Sequence, residues 1–179
     1  DIAEGISSVS QLDGTYYMYP LSVAAHCMAI NYEAFEAAGA LQYIDEETRT
    51  WTTDNFVKAM EAVRDAAAAG TVNVATPGII YCGAQGGDQG TRALVNNLYS
   101  DYYVNEDGTS YLANSENNVK ALKLLQDMVN NGSMSANASF AAADELQAFA
   151  NQTCAVSFCW NYSNYTQYAE QTQFTPFAM

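Results

Sequence analysis

Basic residues are scarce in this chain: six lysines and arginines stand against twenty acidic residues, a net charge of −14 at pH 7 over 179 residues. Such a field repels phosphate backbones and anionic lipid headgroups, so nucleic acid and membrane surfaces are not expected as partners. Histidine is scarcer still, one residue at position 26, and the four cysteines, Cys27, Cys82, Cys154 and Cys159, form no CxxC pair. A zinc site has little to be built from, and no metal or cofactor is expected. Long apolar runs are missing too. Nothing approaches the roughly 18 uncharged apolar residues of a membrane helix, and the opening DIAEGISSVS lacks the basic and apolar regions of a signal peptide. The chain is expected to be a soluble piece. With 49% hydrophobic residues it has the material for one well-filled core, which argues against disorder.

Cys27, Cys82 and Cys154 lie in or beside apolar segments (HCMAI, IIYCG, TCAVSF), where a thiol packs as a small buried hydrophobe; a disulfide between neighbouring strands is the alternative. The dispersed carboxylates read as solvated loops and helix ends. Five Asn-x-Ser/Thr triplets, at Asn131, Asn137, Asn151, Asn161 and Asn164, follow from a C-terminal half rich in those residues and are not read as glycosylation.

Residues 16 to 30 read as extended, with Pro20 tolerable only at a strand end or edge. A short helix from Tyr32 to Ala38 closes at Gly39. TWTTDNFVKAMEAVRDAAAAG has Thr52 or Thr53 as N-cap, Phe56, Val57, Met60 and Val63 on one face, and Gly70 as stop. TPGIIYCG is a short strand before the glycine-rich GAQGGDQG. That loop lacks the GxxxxGK[ST] and GxGxxG spacings, so it reads as a place of close backbone approach and not as a phosphate cradle. Further helices are expected from TRALVNNLYSDYY, from NSENNVKALKLLQDMVNNG with Asn114 or Ser115 as cap, and from SFAAADELQAFANQ with Phe140, Leu146 and Phe149 inward. A strand TCAVSF follows, and no closing element is expected in the polar aromatic CWNYSNYTQYAEQ or after it. Strands interleaved with helices indicate an α/β sandwich with a mainly parallel or mixed sheet.

In this order the segments resemble the extracellular solute-binding proteins of bacterial ABC importers, in particular the family typified by maltodextrin-binding protein. The similarity covers roughly residues 11 to 168. DGTYYMYPLSVAAHCMAINYEAFEAAG is similar to the family's strand, Tyr or Leu-Pro, apolar strand and helix ending in Ala-Gly. TWTTDNFVKAMEAV is similar to its Thr-Trp and amphipathic helix, and DELQAFANQTCAVSFCWNY to its helix, Ala-Met strand and following aromatic. The family's Asn-Lys is Asn31-Tyr32 here, its glycine before the Ala-Met strand is Gln152-Thr153, and its Gly-Pro-Trp ending is Cys159-Trp160-Asn161-Tyr162.

The resemblance implies an α/β protein, one three-layer α/β/α sandwich lobe of a periplasmic-binding-protein-like (type II) fold. Residues 1–22 would be a crossover or hinge segment from an N-terminal lobe outside this chain, where the partner of the Pro20 strand would lie. Residues 23–179 would form the C-terminal lobe. It implies a binding component without enzymatic activity, monomeric, with a small-molecule solute and a membrane permease as partners, outside the cytoplasm and lipid-anchored in the full-length protein. Sugars present hydroxyl edges and C–H faces, which need aromatic platforms and planar polar groups; thirteen tyrosines and two tryptophans supply the first. The cleft wall would come from the crossover near His26, the loop after GIIYCG, and the turn after AVSF. Trp160 and Tyr162 are the stacking candidates, Tyr81 a second aromatic, and Gln85, Asp88, Asn161 and His26 the polar contacts, whereas Trp51 is expected to pack. The scarcity of cations makes a phosphorylated ligand the weaker expectation. A glycosidase would need two convergent carboxylates, and only Asp88 is placed near the cleft; a surface adhesion or scaffold module is the remaining alternative.

Overall fold

Strand β1 (Gln11–Leu12) pairs antiparallel with β2 (Thr15–Tyr16) across Asp13-Gly14, both with positive φ as a tight hairpin turn requires. The computed structural model describes residues 6, 10–20, 24–83 and 89–179. After the hairpin Tyr16, Tyr17, Met18 and Tyr19 are exposed. Only then does the chain enter its main sheet with β3 (Cys27–Asn31).

The Asn31 side chain accepts from Ala34 N at 3.0 Å and starts α1 (Tyr32–Ala37). Thr52 does the same for α2 (Thr53–Ala68), which ends at Gly70 with φ 72°. Strand β4 (Ile79–Tyr81) and helix α3 (Gln89–Leu98) follow, then α4 (Glu116–Asn130), capped by Ser115. The chain closes with β5 (Ser135–Asn137), α5 (Ala142–Ala150), β6 (Val156–Trp160), α6 (Tyr162–Gln167) and β7 (Pro176–Ala178).

Strand β3 is the middle of an antiparallel β6-β3-β7 sheet, and β4 pairs β5 in parallel. A parallel bridge, Thr76–Cys154, and a bond from Ala155 N to Pro77 O at 3.0 Å join the two pieces. The sheet is therefore mixed. Successive β3 residues face opposite layers: Ile30 packs with Phe35, Phe56, Met60, Leu94, Leu125 and Met128 from α1 to α4, while Ala29 packs with Phe149, Trp160 and Tyr168 on the α5 and α6 side. This is a three-layer α/β/α arrangement.

Several expectations are corrected. The extended run read over residues 16 to 30 is divided: Pro20 lies in no strand, and only Cys27–Asn31 enter the main sheet, between β6 and β7. A closing element does exist: β7 is held to α1 by Glu33, which accepts from Thr175 N and Thr175 Oγ1, both at 2.8 Å. Strands β5 and β7 have three residues each, too short for a periodicity to register. Helix α6 is polar and is started by Asn164 Oδ1 accepting from Asn161 N at 2.8 Å. All four cysteines are free, and Cys82 is exposed because it lies just past the end of β4.

Candidate functional site

Strands β3 and β6 are antiparallel, and the Thr76–Cys154 bridge runs β4 in the same direction as β6. The start of β3, the end of β4 and the end of β6 therefore meet at one end of the sheet. His26, the position from which residues 84–88 depart, and the Trp160 to Tyr162 turn are all brought there. Gln85 and Asp88 lie outside the described residues.

The end of β6 is shaped by a bulge. Cys27 pairs with Trp160 and Ala29 with Ser157, so three steps on β6 match two on β3. Ser157 faces α5. Phe158 and Cys159 both face a cavity on the opposite side, and Trp160 is returned to the α5 and α6 layer. Glu145 of α5 holds this bulge: Phe158 N donates to Oε1 at 2.6 Å and Ser157 Oγ to Oε2 at 3.0 Å. Glu145 is 0% exposed, and burial pushes its carboxyl up to about 8, with the bonds from Phe158 and Ser157 opposing.

Trp160 is consequently 0% exposed, with edge contacts to Phe149 at 5.2 Å and Tyr165 at 5.5 Å. It does not emerge from the sheet end as expected, because the bulge reverses its side. Its Nε1 and the Oδ1 of Asn161 are buried and have no hydrogen-bond partner among the described residues. Tyr162, two residues on, is 87% exposed. Tyr81 is 2% exposed and also leaves the open surface: its hydroxyl accepts from Gly90 N at 3.2 Å, and Thr91 Oγ1 accepts from Tyr81 N and donates to Tyr81 O. Burial first, then Glu145, raises its phenol far above the ordinary value. A Cβ on Gly90 would stand 2.4 Å from the Tyr81 hydroxyl, so glycine lets α3 start against β4, the close approach read from the glycine-rich stretch.

The cavity measures about 800 Å³. It is bounded by His26 and Met28, by Phe158 and Cys159, by the α3 face from Gln89 to Leu98, and by Arg49 to Phe56 leading into α2. Trp51 forms part of its wall while packing on Phe56 at 5.2 Å, as expected of a structural residue. Arg49 has φ 55°, at the end of a turn whose earlier amides, Glu47 N and Thr48 N, donate to Asp45 Oδ1. Its guanidinium donates to Ala178 O at 3.4 Å and lies 4.7 Å over the Phe177 ring. Sequence reasoning missed Arg49, Arg92, Asn96, Asn97 and Tyr103 as cavity residues; the positive φ needs coordinates, and an exposed arginine carries no periodicity. Burial raises the thiols of Cys27 and Cys159, the latter also through Glu145, so neither is an activated nucleophile. Among the described residues no cluster of three metal-ligating groups occurs. Aromatic faces, amides and guanidinium groups surround an open space of a size that can hold a small molecule.

No protein-family model matches the sequence, and comparison with curated proteins finds no match. Solved structures do resemble it. UgpB from Mycobacterium tuberculosis, in complex with glycerophosphocholine, has a TM-score of 0.71 at 13% identity, covering 98% of this chain and 41% of that one. The GacH receptor of Streptomyces glaucescens GLA.O, seen unliganded and with acarbose, has a TM-score of 0.61 at 15% identity over 83% of this chain and 34% of its own. An ABC-transporter-associated binding protein from B. animalis subsp. lactis Bl-04, in complex with beta-1,6-galactobiose, has a TM-score of 0.55 at 17% identity, covering 86% and 35%. All three are solute-binding proteins, and the chain has their periplasmic-binding-protein-like fold. It spans between 34% and 41% of their length.

Proposed function

We propose that the chain is one lobe of the substrate-binding component of an ABC importer, capturing a small solute, an oligosaccharide foremost, in a cleft closed by a second lobe. The observation that carries the reading is the cavity of about 800 Å³ at the sheet end, walled by the start of β3 and the end of β6, a volume in the range of small-molecule sites. The fold shared with three binding proteins supports it. In this reading residues 1–22 cross from an N-terminal lobe and 23–179 are the C-terminal lobe, and the exposed Tyr16 to Tyr19 segment fits a hinge. In this reading His26 contacts the solute from the cavity wall, and Asn161 and Tyr162, which lie at the same end of the sheet but outside the cavity lining, contact it together with Gln85 and Asp88 of the glycine-rich loop. Trp160 and Tyr81 stand behind them and set the positions of Asn161 and Gly90. The permease partner, the extracellular or periplasmic location and the lipid anchor belong to the same proposal, as does the absence of catalysis.

Tyr162→Ala and Trp160→Ala test the assignment against a sugar panel. Truncating the exposed Tyr162 should leave stability within about 0.5 kcal/mol and weaken sugar binding by roughly tenfold. Truncating Trp160 should cost about 3 to 5 kcal/mol in urea unfolding. Unchanged affinity in Tyr162→Ala would remove that residue from the site; no sugar shifting any resonance near His26 or Tyr162 would remove the site itself.

A further inference from the structure

The chain has three arginines and one histidine. Arg49, Arg92 and His26 all line the one cavity of about 800 Å³, and among its described lining residues there is no aspartate or glutamate. A sample of this chain of that size would on composition hold about two acids and fewer than one base, so the local balance is reversed against a net charge of −14. Arg49 occupies a left-handed conformation that disfavours any side chain with a Cβ, and its guanidinium is oriented by Ala178 O and the Phe177 ring. Arg92 projects from α3, the helix that also supplies Gln89, Asn96 and Asn97.

From this placement we propose that the cavity receives an anionic group of the solute, a carboxylate or a phosphate, recognised by the guanidinium groups of Arg49 and Arg92, with Gln89 and Asn97 contacting neighbouring hydroxyls. The proposal deepens the importer reading and rests on it. Guanidinium donors match such oxyanions in geometry. Cations that are scarce in the chain as a whole are thus concentrated where a negatively charged solute would meet them.

The test is a set of NMR titrations of the 179-residue chain at low ionic strength, pairing each anion with its neutral counterpart: galacturonate with galactose, and glycerol 3-phosphate with glycerol. At least one anion should shift the Arg49 and Arg92 side-chain resonances at a concentration roughly tenfold below its neutral partner. The responding pair tells carboxylate from phosphate. The Arg49→Gln/Arg92→Gln double variant should lose that preference, and the Arg49→Lys/Arg92→Lys variant, which keeps the charge, should retain part of it. Anion binding that survives the glutamine variant overturns the proposal. So does neutral binding of equal strength at the same residues, an outcome that leaves the importer reading standing. No shift at the cavity from any of the four probes overturns the proposal, while the sugar panel decides the importer reading separately.

Discussion

Among the described residues Glu145 has no ion-pair partner; its burial is supported by the amide and hydroxyl that the β6 bulge would otherwise leave unpaired. Its folded-state carboxyl is pushed up to about 8 from an ordinary 4.5, so the folded chain holds the proton more tightly than the unfolded one. This contribution is full below about pH 4.5 and is lost as pH rises towards about 8, by on the order of 5 kcal/mol as an upper bound. Urea unfolding at pH 5 and pH 8.5 should show the fall in the native sequence. Glu145→Gln, which can still accept from Phe158 N, should show much less of it. An equal fall in both proteins would mean that this carboxyl is not the group responsible.

Helix α5 ends in a Schellman motif: Gln152 N donates to Phe149 O at 2.9 Å and Thr153 N to Ala148 O at 2.8 Å. The left-handed residue of that motif is Gln152, at φ 60°. A side chain there costs on the order of 1 kcal/mol, partly offset because glycine loses more entropy on folding. Gln152→Gly is therefore expected to raise stability by up to about 1 kcal/mol, read as a higher urea midpoint at unchanged slope. A lower midpoint would show that the half-buried glutamine side chain contributes packing that outweighs its backbone strain.

At the scale of the molecule, the net charge is −14, and the described residues show one ion pair, Arg64 with Asp65 at 2.8 Å. That pair is exposed and contributes little. Repulsion among the remaining carboxylates opposes the compact state, and salt screens it over a Debye length of about 10 Å at 0.1 M. The melting temperature should rise by a few degrees on going from about 0.02 to 0.3 M NaCl. A flat or falling profile would show that the acids are spaced widely enough for repulsion to be immaterial. In the same field the cationic cavity would attract an anion most strongly at low salt, so salt should act in opposite directions on stability and on anion binding.

Local rules in the sequence determined the helices with side-chain caps at Asn31, Thr52 and Ser115 and the alternation of apolar residues through β3. These are settled within a few residues, by capping bonds and periodic burial, and so can be read along the chain. Tertiary structure alone decided that β3 lies between β6 and β7, that a bulge buries Trp160 and leaves Tyr162 outside, and that Arg49 and Arg92 share one cavity with His26. Each of these depends on contacts between residues more than twenty positions apart. An inserted residue in β6 exchanges the two faces of the sheet without altering any local propensity, so the aromatic platform was misread where the strand and helix were not.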